Sequence, residues 1–90
     1  MSHAVLKWNV PVDDDWHEIG AGPVVLVACQ ATVDVVQVWT DEGDVESVRR
    51  RSVRVYGTGH EVPLFDEHVG SVMTADGALV WHVFGKAESL

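Results

Sequence analysis

Four arginines stand close together at Arg49, Arg50, Arg51 and Arg54, in a chain with only six lysines and arginines. Guanidinium forks bind phosphate or carboxylate with two parallel hydrogen bonds. A strand through 50–56 puts Arg50, Ser52, Arg54 and Tyr56 on one face and Val53 and Val55 on the other. Tyr56 then offers a ring for stacking. The loop that follows, Gly57-Thr58-Gly59-His60, would turn backbone N–H groups toward an anion, as glycine-rich nests do. The expected ligand site is therefore Arg50, Arg54, Tyr56, Thr58 and His60, for an anionic small molecule or nucleotide. It is not a P-loop, because the lysine and the following helix are missing. A competing reading pairs the arginines with Asp13, Asp14 and Asp15, or with Asp41, Glu42, Asp44 and Glu46, as charge clusters usually are. The glycines then make only a turn or bulge.

Other reactive side chains are scattered. His3, His17, His60, His68 and His82 show no ligand spacing for a metal, which needs three or four converging donors; only for His60 and His68 is an approach expected, across the loop between them. Cys29 lies in an apolar run, where a buried and inert thiol is expected rather than a nucleophile. No elbow motif supports a serine nucleophile. The expectation is no catalytic residue, no metal, no cofactor, and a protein that is not an enzyme.

The chain has 90 residues, enough for one domain over 1–90, with the tail 85–90 expected to fray. Asp and Glu outnumber Lys and Arg by 14 to 6, a net charge of −8, which argues against nucleic acid and against an anionic membrane as partner. Hydrophobic residues make up 47%, which excludes an acidic disordered tail. A single cysteine rules out an intrachain disulfide and points to a reducing compartment. No signal peptide is visible, and the longest apolar run, 23–29, is far short of a membrane span. A cytoplasmic location is the expectation.

The elements that must position these groups are strands. Valine dominates the composition and favours them. Leu6, Trp8, Val10 and Val12 alternate with Lys7, Asn9 and Pro11. Strands are also expected at 16–19, 24–29, 33–40, 50–56, 69–74 and 78–84, with turns at 13–15, 20–23, 41–44 and 57–60 and a single helical turn near Asp66 and Glu67. Asp76-Gly77 is a hairpin signal. The fold class is mainly β, a small antiparallel sandwich or barrel of six to seven strands.

Four segments carry a resemblance: 10–17 (VPVDDDWH), 55–60 (VYGTGH), 68–72 (HVGSV) and 79–84 (LVWHVF). In that order they resemble a family of short uncharacterised bacteriophage and prophage proteins. The resemblance implies a setting, a small protein made inside a bacterial host cell for host takeover or anti-defence work. It brings no catalytic residue.

Four tryptophans remain to be placed. Trp8 and Trp81 sit in well-patterned strands and belong to the core. Trp16 and Trp39 lie beside acidic turns, where exposed aromatics anchor interfaces. Three strands are apolar on both faces, whereas a two-layer domain buries only one face of each sheet. The second faces, with Val35 and Trp39 on one and Val80 and Phe84 on the other, predict a homodimer unless the sheet closes into a barrel or packs under the long 57–68 loop. The expected function is a non-enzymatic accessory protein that binds a host protein through Trp16, Trp39, Val35, Val80 and Phe84. The alternatives are a module that sequesters an anionic ligand and a minor virion structural protein.

Overall fold

A computed structural model of the chain describes residues 3–29, 34–43, 48–74 and 77–86. They form seven strands: β1 Ala4–Pro11, β2 His17–Gly20, β3 Val24–Cys29, β4 Val35–Glu42, β5 Arg50–Gly57, β6 Glu67–Met73 and β7 Val80–Gly85. Among the described residues there is no helix. Every strand pair is antiparallel, in a three-stranded sheet ordered β1-β4-β3 and a four-stranded sheet ordered β2-β5-β7-β6. The sheets share no hydrogen-bonded strand pair, so the fold is sandwich-like and not a closed barrel.

The period-two pattern decides which face is buried. In β4 Val36, Val38, Thr40 and Glu42 point inward, and Val35, Gln37, Trp39 and Asp41 point outward. Val10, Ile19, Val36, Val38, Val53, Val55 and Val83 form the core between the sheets, with half-buried Trp8 and Trp81 packed against it. These side chains are nearly all valine, compact and stiff at χ1, and each contributes about 1.5–3 kcal/mol on burial. The core suits two sheets about 10 Å apart.

The acidic turn expected at 41–44 is in part strand. Asp41 and Glu42 continue β4, and Glu42 is only 4% exposed. Its Oε2 accepts the Gly22 N–H at 3.1 Å, and the Asp41 N–H donates to the Pro23 carbonyl at 2.9 Å. The 20–23 turn thereby caps this end of the core. A Cβ at Gly22 would overlap the Asp41 carbonyl, so this close approach requires glycine. The Trp8 indole N–H donates to the Thr40 hydroxyl at 2.8 Å, which satisfies the other buried polar side chain nearby.

Two smaller expectations also shift. Glu67 begins β6 instead of sharing a helical turn, and the local turn runs from Pro63 to Asp66, whose N–H donates to the Pro63 carbonyl at 3.0 Å. Gly85 belongs to β7, and the Lys86 N–H donates to the Ser52 carbonyl at 2.9 Å, so neither residue frays; residues 87–90 of the expected tail lie outside the described residues. Gly77 has φ of +73°, as the hairpin signal requires, whereas Asp76 lies outside the described residues.

One connection matters for the site. Both β5 and β6 run antiparallel to β7, which lies between them, so they are parallel to each other. β5 ends beside Trp81 and β6 begins beside Gly85, so the 58–66 crossover travels the length of β7. It begins at the outer face, where Thr58 Oγ1 lies 3.0 Å from His82 Nε2.

Candidate functional site

The outer face of the four-stranded sheet gathers most of the polar chemistry. The register places Tyr56 opposite His82, His82 opposite Ser71, Arg54 opposite Phe84, and Phe84 opposite His68. Cross-strand partners point to the same side, so these six residues share one surface. His68 Nε2 lies 2.8 Å from Ser71 Oγ, Ser71 Oγ lies 2.7 Å from His82 Nδ1, and His82 Nε2 lies 3.0 Å from Thr58 Oγ1. The four side chains form a continuous hydrogen-bonded relay across β6, β7 and the start of the crossover.

The relay can run either way. Hydroxyls both donate and accept, and each neutral imidazole donates at one nitrogen and accepts at the other. His68 can donate to Ser71, Ser71 to His82 and His82 to Thr58, or every donor can reverse. If both imidazoles carry a proton, both donate to Ser71, and the relay then offers its hydroxyl hydrogen no acceptor. The Ser71–His82 distance is that of a nucleophile–base pair, but the far nitrogen of His82 meets the Thr58 hydroxyl instead of an orienting carboxylate.

Aromatic rings support the relay. Phe84 meets Tyr56 edge-on at 5.7 Å between centroids and His68 at 5.3 Å. The Arg54 guanidinium lies 4.9 Å from the Tyr56 ring centre, and Arg54 Nη2 is 3.4 Å from Asp14. Arg54 Nε is buried without a hydrogen-bond partner. Tyr56 points away from the core yet is only 4% exposed, with Arg54 over its ring and Phe84 against its edge. At the crossover's tip the burial reverses: Leu64 is 86% and Phe65 81% exposed. Exposed acids flank the tip at Glu61 and Glu67.

The expected ligand residues divide. Arg54, Tyr56 and Thr58 come together on this face. Arg50 does not join them; strand twist carries it to the far end, where it stacks 4.7 Å from the Trp8 ring centre. His60 is exposed beyond the end of β5, its ring near Gly57 and Trp81; the relay partner of His68 is Ser71. Arg51 points inward at the sandwich end, 3.4 Å from Glu67, and borders an open cleft of about 350 Å³ beside Gly22, Pro23 and His68. The pairing of Arg54 with Asp14 matches the expected salt bridging, whereas Glu67 was not foreseen as a partner.

Of the expected interface residues, Trp39 and Val35 face outward on the three-stranded sheet, where Lys7 Nζ sits 5.7 Å from the Trp39 ring centre. Trp16 is half-buried under Lys86, at 5.6 Å. Phe84 and Val80 are half-buried on the relay face. Ser71, His68 and His82 were missed as a unit. Their signal was present, since serine and histidine alternate with apolar residues in both strands, but only the β6–β7 register brings them together.

Asp13 forms a separate polar pair. Its carboxylate lies 2.7 Å from His17 Nε2 and accepts the Asp15 N–H at 3.0 Å. The His17 contact, followed by that N–H, holds Asp13 below its ordinary carboxylate pKa. Among the described residues no group of three or more His, Cys, Asp or Glu side chains is placed to hold a metal, and no helix is long and apolar enough to cross a membrane.

A family model described as "Domain of unknown function (DUF7352)" matches residues 1–89, and the chain belongs to that family. No match is found among curated proteins or among solved structures.

Proposed function

We propose that this DUF7352 protein is a non-enzymatic binding module that grips another protein with the tip of its 58–66 crossover. The observation that carries the reading is the exposure of two adjacent large apolar side chains, Leu64 at 86% and Phe65 at 81%. Isolated exposed hydrophobics are common, but two adjacent large ones at the tip of a crossover are a typical anchor. Glu61 and Glu67 flank the tip, and the whole chain carries −8. The partner is a protein with an apolar pocket rimmed by lysine or arginine, toward which this charge steers encounter. Anionic membrane is disfavoured by the same acids. The resemblance to short phage proteins supplies the setting: a host protein in the bacterial cytoplasm.

The relay fits this reading as a fastener. Thr58, the first crossover residue, is tied through His82 and Ser71 to β6, so the tip is presented from a fixed base and loses less freedom on binding. Paired affinity capture from bacterial lysate tests the reading, with wild type against a Leu64→Ser/Phe65→Ser variant. A partner retained by wild type and lost by the variant is expected. Identical capture by both overturns it.

A second reading has one observation in its favour. Arg54 Nε is buried and unpaired beside Tyr56, as a small anion would require. A nucleotide bound there at 100 times its Kd would add about 2.7 kcal/mol to stability. No shift with any nucleotide or with phosphate rejects it.

A further inference from the structure

We infer that the outer face of the three-stranded sheet is a self-association surface, and that its occupant is a second copy of this chain. The face is built by Val5, Lys7, Asn9 and Pro11 of β1, by Val35, Gln37, Trp39 and Asp41 of β4, and by Leu26 and Ala28 of β3. Leu26 is 54% and Val5 52% exposed; in β4 between them Trp39 stands opposite Leu26 and Asp41 opposite Val5, and Val35 lies at the other end of the face opposite Pro11. On the outer face of the other sheet the crossover begins with Thr58, whose hydroxyl meets His82.

Charge selects the occupant. The chain holds 14 acids and 6 bases, yet the outward strand positions of this face carry one of each, Asp41 and Lys7. Asp41 is engaged by His3 at 2.6 Å, and Lys7 lies over the Trp39 ring. Two copies at −8 each repel wherever they present their acidic surfaces. They approach at least cost where each is neutral and apolar. A partner chosen for its positive charge finds nothing to pair with here, so the face suits a second copy better than a basic protein. Depletion of charge at the centre of a patch is also what distinguishes interface cores from ordinary surface.

Area sets the strength. Three strands about 4.8 Å apart, two of eight residues and one of six, at about 3.3 Å per residue give a face within roughly 14 × 26 Å. The total burial for a pair falls at or below about 1,000 Å², the low end for specific complexes. The dimer is therefore reversible, its protomers fold alone, and its strength rises with salt as the mutual repulsion is screened. This inference uses a surface separate from the crossover tip and stands or falls independently of it.

Sedimentation velocity from micromolar to several hundred micromolar protein, at low and high salt, tests it. The expected result is a mass that moves from one copy toward two with concentration, and further at high salt. Leu26→Glu sets two like charges against each other across the pair and should weaken association at least about tenfold. Leu26 is more than half exposed, so the variant should fold, which circular dichroism checks, and Val5→Glu is the second arm. Leu79→Glu, on an equally exposed site away from the face, should leave association unchanged. One-copy mass at every concentration overturns the proposal. So does a dimer that Leu26→Glu and Val5→Glu leave intact.

Discussion

Ser71 Oγ lies 2.7 Å from His82 Nδ1, across the register of β6 and β7. Around this contact the four-stranded sheet turns a solvent-facing surface into a fixed platform. His68 closes one end of the relay and Thr58, on the crossover, closes the other. The platform matters to function because the crossover it holds carries the exposed Leu64–Phe65 tip.

Removing the central hydroxyl should loosen the platform without unfolding the domain. Ser71→Ala leaves His68 Nε2 and His82 Nδ1 to water, at a cost of about 1 kcal/mol. Urea denaturation reads this loss. Ring ¹⁵N shifts of His82 should change at the same time, and identical spectra from both proteins would show that the relay does not form.

Anchoring of the crossover is read separately. Thr58→Val keeps the shape of the side chain and removes the partner of His82 Nε2. Amide exchange across 58–66 should quicken while the core strands stay protected. Equal exchange in both proteins would mean that the base of the tip is fixed by something else.

Glu42 is expected to stabilise through the turn that it caps. Glu42→Ala leaves the Gly22 N–H without its acceptor and should cost about 1–3 kcal/mol in thermal or chemical denaturation. A loss well below that would assign the turn to the Asp41–Pro23 bond alone.

Acid should weaken the fold partly through Asp13. Its folded pKa is depressed, by His17 first and by the Asp15 N–H second, so its stabilisation is present above the unfolded value of about 3.9 and is lost as pH falls through the lower folded value. Asp13→Asn should flatten the stability profile below about pH 4 and, near neutrality, leave its slope unchanged while lowering its level. A variant whose profile matches wild type below that pH would remove Asp13 from the account.

Strand identity and facing were legible because valine alternates so regularly. Val36, Val38, Val53, Val55 and Val83 face the core as a period of two requires. Gly77 was legible for a similar local reason: a hairpin residue needing positive φ has it, at +73°. Gly77→Val should accordingly destabilise by about 1–2 kcal/mol. What local pattern could not supply was long-range register. Arg50 and Arg54 alternate correctly, yet twist along β5 sends one to Trp8 and the other to Tyr56. Glu42 reads as turn because it is charged, and only the approach of the Gly22 N–H from another strand connection gives its carboxylate a place inside. The relay escaped for the same reason, since His68, Ser71, His82 and Thr58 come from three separate segments.

The most direct test of the central claim places a photo-crosslinking phenylalanine analogue at position 65 in bacterial cells, with position 79 as an exposed control elsewhere. One discrete adduct at position 65, between this chain and a different protein, and none at position 79, is the expected result. No adduct at 65, or the same adducts at both positions, would contradict it.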